Sequence, residues 1–380
     1  MSRPRRILLI QTQAENAGAQ EISRLVGAGL TARGYDVHNL FFFRKTASFN
    51  EPPNTLYSAP GRPGTPLAFL RFLWTLGRQI RQNRPDAVLT FQHYGNAIGG
   101  AVSRLVSPAP VIANQVTARW TMPRFLRAID VAMGSLGFFQ RITVNSRDMA
   151  REYSGYPAPY RRRIQYVPHG FEHKSTALSK AEARRTFDLP ADAVLLGTVA
   201  RLHPIKRVDA SIRLLADQPN WHFAVAGQGP QEQELKELAR QLGVSARVHF
   251  IGEISPDRIG DFLVGLDVFV FPTQAETFGL AAVEAANAGV VSVVNDLPVL
   301  REVLSYQGKP TALFVDASDH GKLKAAVSQV LGDNVLADTL RESAKGLRVR
   351  YSIDTMVDEY IRVLDEAAND SSLTQQVSPT

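Results

Sequence analysis

Phe271-Pro272-Thr273-Gln274-Ala275-Glu276-Thr277-Phe278-Gly279-Leu280-Ala281-Ala282-Val283-Glu284-Ala285 joins two kinds of sequence. Residues 268–271 are apolar and rich in Val and Phe, which suits a buried strand. From residue 279 or 280 the chain turns to Leu and Ala, which suits a helix. The unit is therefore strand, polar loop, helix. A helix start offers free backbone N–H groups to a phosphate. A carboxylate accepts well from paired sugar hydroxyls. Glu276 before the helix and Glu284 inside it thus suit two sugars, one on each side of a phosphate. Plainer roles stay open. The helix dipole favours an acid at the position of Glu276, and Glu284 is a solvated charge if its face is outward. A charge in so apolar a helix is seldom idle, however.

Outward from this stretch the same alternation recurs. Short apolar runs fall at 7–10, 37–43, 87–91, 111–114, 142–145 and 164–167, and again at 194–200, 222–226, 248–251, 268–271, 290–294 and 312–315. Helix-length patterns such as 21–32, 67–81, 232–242 and 280–288 lie between them. Such alternation predicts parallel sheets covered by helices on both faces. Two sets of six predict two similar domains, and 380 residues, 44% hydrophobic, suffice for two cores. The junction is expected at Val167-Pro168-His169-Gly170, giving domains 1–168 and 169–352. A last amphipathic helix is expected at 353–367 and a frayed tail at 368–380. Residues 50–66, rich in Pro and Gly, read as a long loop.

The chain has no cysteine, which excludes disulfides, thiolate metal sites and a cysteine nucleophile. The apolar run after the basic start covers only 7–10, too short for a secretory signal, and no run reaches a membrane span. A cytoplasmic protein is expected. The net charge of +7 is uneven. Residues 1–170 carry 22 Lys+Arg against 8 Asp+Glu, and residues 171–380 carry 21 against 28. Either the surface is simply basic, or the first half faces an anion: a membrane surface, a lipid-linked phosphate or a nucleic acid.

In open α/β sheets, ligands bind beyond the carboxyl ends of the strands. The first such loop ends at Asn16-Ala17-Gly18-Ala19, where a helix start suits an anion, or a tight turn simply closes. It lacks the dinucleotide glycine pattern and the P-loop lysine. After 87–91 comes Gln92-His93-Tyr94-Gly95-Asn96, where His93 is either structural or a partner for a substrate hydroxyl. After 194–200 comes Arg201-Leu202-His203-Pro204-Ile205-Lys206-Arg207. Its cations suit a diphosphate and the charge that grows on a departing phosphate, or else form an ordinary solvated basic loop. Ala226-Gly227-Gln228-Gly229-Pro230 resembles the start of a dinucleotide fingerprint, but Glu232 occupies the third glycine position. No Asp-x-Asp and no His-Glu-x-x-His are present.

These segments together resemble the retaining GT-B glycosyltransferases of family 4, glycosyl transferases group 1, which include many bacterial cell-envelope and polysaccharide enzymes. Arg201 to Lys206 is similar to the family's Arg…Lys diphosphate motif, and Glu276 with Glu284 to its two-glutamate motif. Residues 167–170, 226–230 and 250–252, and the stretch 351–366, are similar to its other landmarks. The resemblance implies a GT-B fold, two doubly wound Rossmann-like domains facing across a cleft, with the 353–367 helix returning to the first. It implies that Arg201 and Lys206 bind the donor diphosphate and assist its departure. Glu276 holds the transferred sugar, assigned with those two cations to catalysis, and Glu284 holds the ribose. Backbone amides of Phe278, Gly279 and Leu280 approach sugar and phosphate. Gly18 lies under the phosphates, His93 contacts the sugar, and Ile254 lies by the base.

The function implied is metal-independent, cofactor-free, retaining transfer of a hexose-type sugar from a UDP- or GDP-sugar to an acceptor hydroxyl. The acceptor is a sugar or lipid-linked one, nucleic acid is not a partner, and a peripheral site at the inner face of the membrane is one location. Three positions depart from the pattern. Ala17-Gly18-Ala19 supplies one glycine where two are usual, Asn114-Gln115-Val116-Thr117 has no His, and Leu297-Pro298 replaces a glycine pair. The rival readings are a nucleotide-sugar epimerase of similar architecture, a non-catalytic nucleotide-sugar binding protein and an NAD-dependent dehydrogenase, the last disfavoured by the broken glycine pattern.

Overall fold

The structure, a computed structural model, describes residues 5–46, 49–117 and 119–376. The chain forms two compact units. One contains the residues through Gly170 and those from Tyr351 onward, and the other is Phe171–Arg350.

The first unit is built on a parallel sheet of β1 (Arg6–Ala14), β2 (Asp36–Arg44), β3 (Thr55–Tyr57), β4 (Ala87–Phe91), β5 (Val111–Gln115), β6 (Arg141–Val144) and β7 (Ile164–Tyr166). Its order is β3-β2-β1-β4-β5-β6-β7. The central strands are buried on both faces, so they read as unbroken apolar runs instead of alternating ones. β3 corrects the expected loop at 50–66. Three residues between prolines are too few to carry a period. The strand forms because β2 has an edge to fill, with Asn39 opposite Thr55 and Phe41 opposite Tyr57.

Successive side chains of a strand point to opposite faces. Leu8 and Ile10 of β1 join a core with Phe72, Leu76 and Ile80 of α2 (Pro66–Asn83) and Met133. α3 (Gly100–Val106) and α4 (Arg124–Leu136), which carries Met133, lie on this side with α2. Leu9 points the other way, toward α1 (Gly18–Ala32). The terminal helix Ile353–Gln376 packs against α1, with Val357 over Gly29. This helix runs nine residues beyond the expected end at 367. Residues 368–376 hold neither Gly nor Pro, and Asp370 pairs with Arg141 at 2.6 Å. Residues 377–380 of the expected tail lie outside the described residues.

A buried polar network crosses this unit. The Tyr360 hydroxyl donates to Asn114 Oδ1 at 2.8 Å, and Gln115 Nε2 and the Tyr160 hydroxyl donate to the two oxygens of Asp130, each at 2.8 Å. Burial pushes the Asp130 carboxyl up to about 6, against the pull of those two hydrogen bonds. The folded chain thus takes up a proton near pH 6, whereas the unfolded chain waits until about pH 4. Holding Asp130 ionised costs stability, fully so above pH 6, and the cost fades as pH falls from 6 toward 4. The stability of Asp130→Asn relative to the wild type should therefore be greater at pH 7.5 than at pH 4.5, by roughly 2 kcal/mol. Thermal melts of both proteins at the two pH values check this, and a difference between them that is the same at both contradicts it.

The second unit has a parallel sheet of β8 (Val194–Val199), β9 (Trp221–Ala226), β10 (Val248–Gly252), β11 (Val268–Phe271), β12 (Val291–Asn295) and, after the small hairpin β13 (Ser305–Tyr306) and β14 (Lys309–Pro310), β15 (Leu313–Val315). Its order is β10-β9-β8-β11-β12-β15. Each sheet therefore reverses direction beside its first strand. The chain steps outward through β2 and β3, or β9 and β10, then crosses back to pair β4 on β1, or β11 on β8. Ligands of doubly wound sheets bind at such a reversal, beyond the carboxyl ends of the two strands that flank it.

Candidate functional site

In the second unit the flanking strands are β8 and β11, and the loops that leave them carry Arg201, Lys206 and Glu276. The sheet topology brings these three together. Lys206 forms an ion pair with Glu276, and its amine lies 5.5 Å from the centre of the Phe271 ring. Arg201 is exposed, and among the described residues its guanidinium has no partner. The imidazole of His203, between them, is held below its ordinary value by burial first and then by the charges of Arg201 and Lys206. The loop is a concentrated positive field that lacks a counter-charge for one of its cations.

Backbone contacts fix this field in place. The N–H groups of Ala200 and Leu202 donate to the carbonyls of Ala226 and Gln228 at 3.0 and 3.1 Å. The Gly227-Gln228-Gly229 turn lies against the Arg201 loop so closely that a Cβ on Gly227 would stand 2.0 Å from the Ala200 carbonyl oxygen, and one on Gly229 2.3 Å from that of Leu202. The glycines read as the start of a dinucleotide fingerprint serve instead to seat the cationic loop. On its other side the carbonyl of Ile205 accepts from the Gln274 N–H at 2.8 Å and from the Thr273 hydroxyl at 3.2 Å. Lys206 is thereby tied to the loop that bears Glu276.

That loop ends at Gly279, whose φ of +84° starts the helix Leu280–Asn287 with no side-chain cap. A Cβ here would meet Leu300 at 2.6 Å. The first N–H groups of the helix, around Phe278, Gly279 and Leu280, stand at the same reversal point as the cations. Glu284 faces inward and is buried, with the amine of Lys174 at 3.7 Å from Oε1. Lys174 is itself buried and also lies 3.3 Å from Glu172. Sequence reasoning missed Lys174. It sits in the aperiodic stretch 171–179, and nothing there marks one lysine as buried. Ile254 follows β10 at the sheet edge and is not among the residues gathered at the reversal. Its loop is joined to the glycine turn, where the Gly227 N–H donates to the Gly252 carbonyl at 2.7 Å.

In the first unit the flanking strands are β1 and β4, and Gly18 and His93 lie just beyond them. Gly18 is the first residue of α1, whose N-cap, Ala17, is extended and offers no side chain to the free N–H groups. Space beyond the Gly18 Cα is open. His93 follows Gln92, a non-glycine residue at φ +67°, and precedes a π-helical turn, Gly95–Gly99, a form met often at functional sites. Both ring nitrogens of His93 are buried without a partner among the described residues, and burial pushes the imidazole down to about 4, so it is neutral. Beside Gly18 the sequence also left Glu15 and Lys45 unremarked, which form a part-buried ion pair. Asn114, which opens the segment 114–117 that holds no His, is bonded on both sides: its amide donates to the Thr90 carbonyl at 3.0 Å and its oxygen accepts from Thr143 and Tyr360.

Two α/β units of this kind, one with two cations and an acid at the reversal of its sheet, define the GT-B class of sugar transferases. A family model for glycosyl transferases group 1 matches residues 179–347, and one for glycosyltransferase family 4 matches residues 18–175. The chain belongs to this glycosyltransferase family. It is 29% identical over 238 residues to a D-inositol 3-phosphate glycosyltransferase of Mycolicibacterium smegmatis, a match that takes 60% of this chain and 54% of that protein. It is 26% identical over 302 residues to the lipopolysaccharide core biosynthesis glycosyltransferase LpsD of Rhizobium meliloti, 79% of this chain and 81% of that one. The chain spans about half the length of several of the curated relatives it matches. Among solved structures, HepE of Anabaena in complex with UDP and glucose superposes with a TM-score of 0.80 at 17% identity, over 95% of this chain and 99% of that one. This likeness is one of fold.

Proposed function

We propose that this glycosyltransferase moves a hexose-type sugar, with retention, from a UDP- or GDP-sugar to an acceptor hydroxyl in cell-envelope polysaccharide or glycolipid synthesis. The observation that carries the proposal is the meeting of Arg201, Lys206 and Glu276 at the reversal of the second sheet. The second unit takes the donor and the first takes the sugar or lipid-linked acceptor. Relatives named for lipopolysaccharide core and inositol phosphate glycosylation support the acceptor class, and the UDP and glucose bound by HepE support the donor class.

The chemistry follows from the side chains. The acceptor oxygen bonds to the anomeric carbon, and the bond from that carbon to the diphosphate breaks, its electrons staying on the phosphate oxygen. The acceptor proton leaves with the diphosphate. Arg201 and Lys206 meet the charge that develops there, so the reaction needs neither metal nor cofactor. Glu276, held by Lys206, accepts from hydroxyls of the transferred sugar. Amides of Phe278, Gly279 and Leu280 serve the phosphates. Glu284 holds the ribose, and Ile254 lines the base. Nucleic acid is not a partner.

Thermal shift against UDP-glucose, GDP-mannose and ADP-glucose tests the donor. One UDP- or GDP-sugar should raise the melting temperature and persist largely intact without acceptor, whereas an epimerase would alter it unaided. A protein that none of the three stabilises would sink the proposal.

Lys174 enters as a positioning residue. Removing its charge takes away the cation that lies 3.7 Å from the buried Glu284 carboxylate, which weakens the hold on that carboxylate. Lys174→Met should raise the donor KM about 10-fold or more with a smaller change in kcat, and Lys174→Arg should recover much of the loss. An unchanged KM in the Met variant would remove Lys174 from the account.

A further inference from the structure

Twelve large hydrophobic side chains are exposed among the described residues, and their distribution is uneven. Eight belong to α2, α3 and α4, the three helices on one face of the first sheet, and only Val335 and Val349 belong to the second unit. On α2 the exposed positions Leu67, Leu70, Trp74, Arg78 and Arg81 recur at helical spacing and form one outward stripe, apolar at its start and cationic at its end. Leu67 is 77% and Trp74 65% exposed. The opposite stripe of the helix, Phe72, Leu76 and Ile80, is already spent on the core. The guanidinium of Arg78 lies 5.5 Å over the Trp74 ring. Between α2 and α3 runs a groove of about 1130 Å³, lined by Trp74, Arg78, Arg81, Val102 and Leu105, the last 78% exposed. On α4, Phe125, Ile129 and Leu136 repeat the pattern behind Arg124.

Charge is sorted the same way. From residue 52 to residue 129 the chain has nine arginines and a single carboxylate, Asp86. Asp86 is engaged at the base of the sheet, where it accepts from the Arg6 N–H at 2.7 Å. The acids of the terminal helix lie elsewhere: Asp365 pairs with Arg5, Asp358 with Arg33 and Asp370 with Arg141. Among the described residues, no carboxylate pairs with Arg71, Arg78, Arg81 or Arg104.

We propose that the outer face of α2, α3 and α4 is a membrane-docking surface, which seats Leu67, Leu70 and Trp74 at the headgroup boundary of a bilayer and sets the arginines against anionic lipid. An indole with apolar neighbours and guanidinium groups along one stripe is the make-up of an interfacial helix. The excess of unpaired arginine selects an anionic lipid surface over a protein of neutral face. No described helix is long and apolar enough to cross a membrane, so attachment is peripheral. The proposal gives the anionic partner of the first half a place in the fold, and it stands or falls apart from the donor chemistry.

The test is flotation of the full chain with vesicles of phosphatidylcholine alone, or of phosphatidylcholine with one-third phosphatidylglycerol, at 50 and 500 mM salt. Binding should favour the anionic vesicles at least 10-fold at 50 mM and weaken at 500 mM. Leu70→Glu/Trp74→Glu should lose at least 10-fold of it, and Arg78→Gln/Arg81→Gln should lose the preference for anionic lipid. Val335→Glu, in the other unit, should change nothing. The circular dichroism spectrum of each variant and its thermal shift with UDP-glucose report the fold and the donor site separately. The proposal is overturned if the wild type floats with neither vesicle, if it floats equally with both, or if the glutamate variants bind undiminished. It is also overturned if this face proves to be a self-association surface, the wild type being a dimer that binds no vesicle and the glutamate variant a monomer.

Discussion

Arg201→Ala is expected to lower kcat by about 10²–10³ while the melting temperature stays where it was. The guanidinium is exposed and unpaired among the described residues, so the fold loses no bond when it is removed. In the proposed reaction it is a fixed positive charge set where a phosphate becomes more negative, and such a charge acts most strongly at the transition state. Lys206→Ala is expected to reduce kcat by a similar factor and, unlike the arginine change, to lower the melting temperature slightly. Glu276 loses its ion pair there, and a part-buried carboxylate is left without its cation. Single-turnover rates at saturating donor, taken with thermal melts, separate the two variants. Turnover within threefold of wild type in both would falsify the leaving-group role.

Gly227→Ala is expected to be the more severe change, although glycine has no side chain to lose. At φ +142° the position suits glycine alone, and the added methyl would lie 2.0 Å from a carbonyl oxygen of the neighbouring loop. That oxygen belongs to backbone and cannot swing aside. Either the β8 loop moves, taking Arg201 with it, or the second unit fails to close. Expression should fall sharply, and any protein recovered should melt at least 10 °C lower, equivalent to about 3 kcal/mol or more. Gln228→Ala, one residue on, should melt near the wild-type temperature. Equal stability of the two variants would show that the turn is not seated as described.

The sheets were readable because parallel strands are buried on both faces, and β4 and β11 span the same residues that their apolar runs predict. β3 was hidden because its identity comes from the free edge of β2 and not from its own three residues. The same division holds in the site. Arg201, Lys206 and Glu276 carry their chemistry in their side chains and stand at strand ends, where sequence reasoning looks. Lys174 is a common residue in an irregular stretch, and only the fold turns its amine toward Glu284. The glycines of 227 and 229 were visible, but their partners, Ala200 and Leu202, each lie 27 residues earlier in the chain, which no local pattern names.

The second unit is one uninterrupted piece of chain, whereas the first is in two pieces, and the terminal helix gives Tyr360, Val363 and Leu364 to its interior. During synthesis the order of completion is therefore inverted. The first sheet leaves the ribosome early but must wait, with a wall missing, until residue 364 has emerged, and by then the later unit has had its whole sequence available to fold.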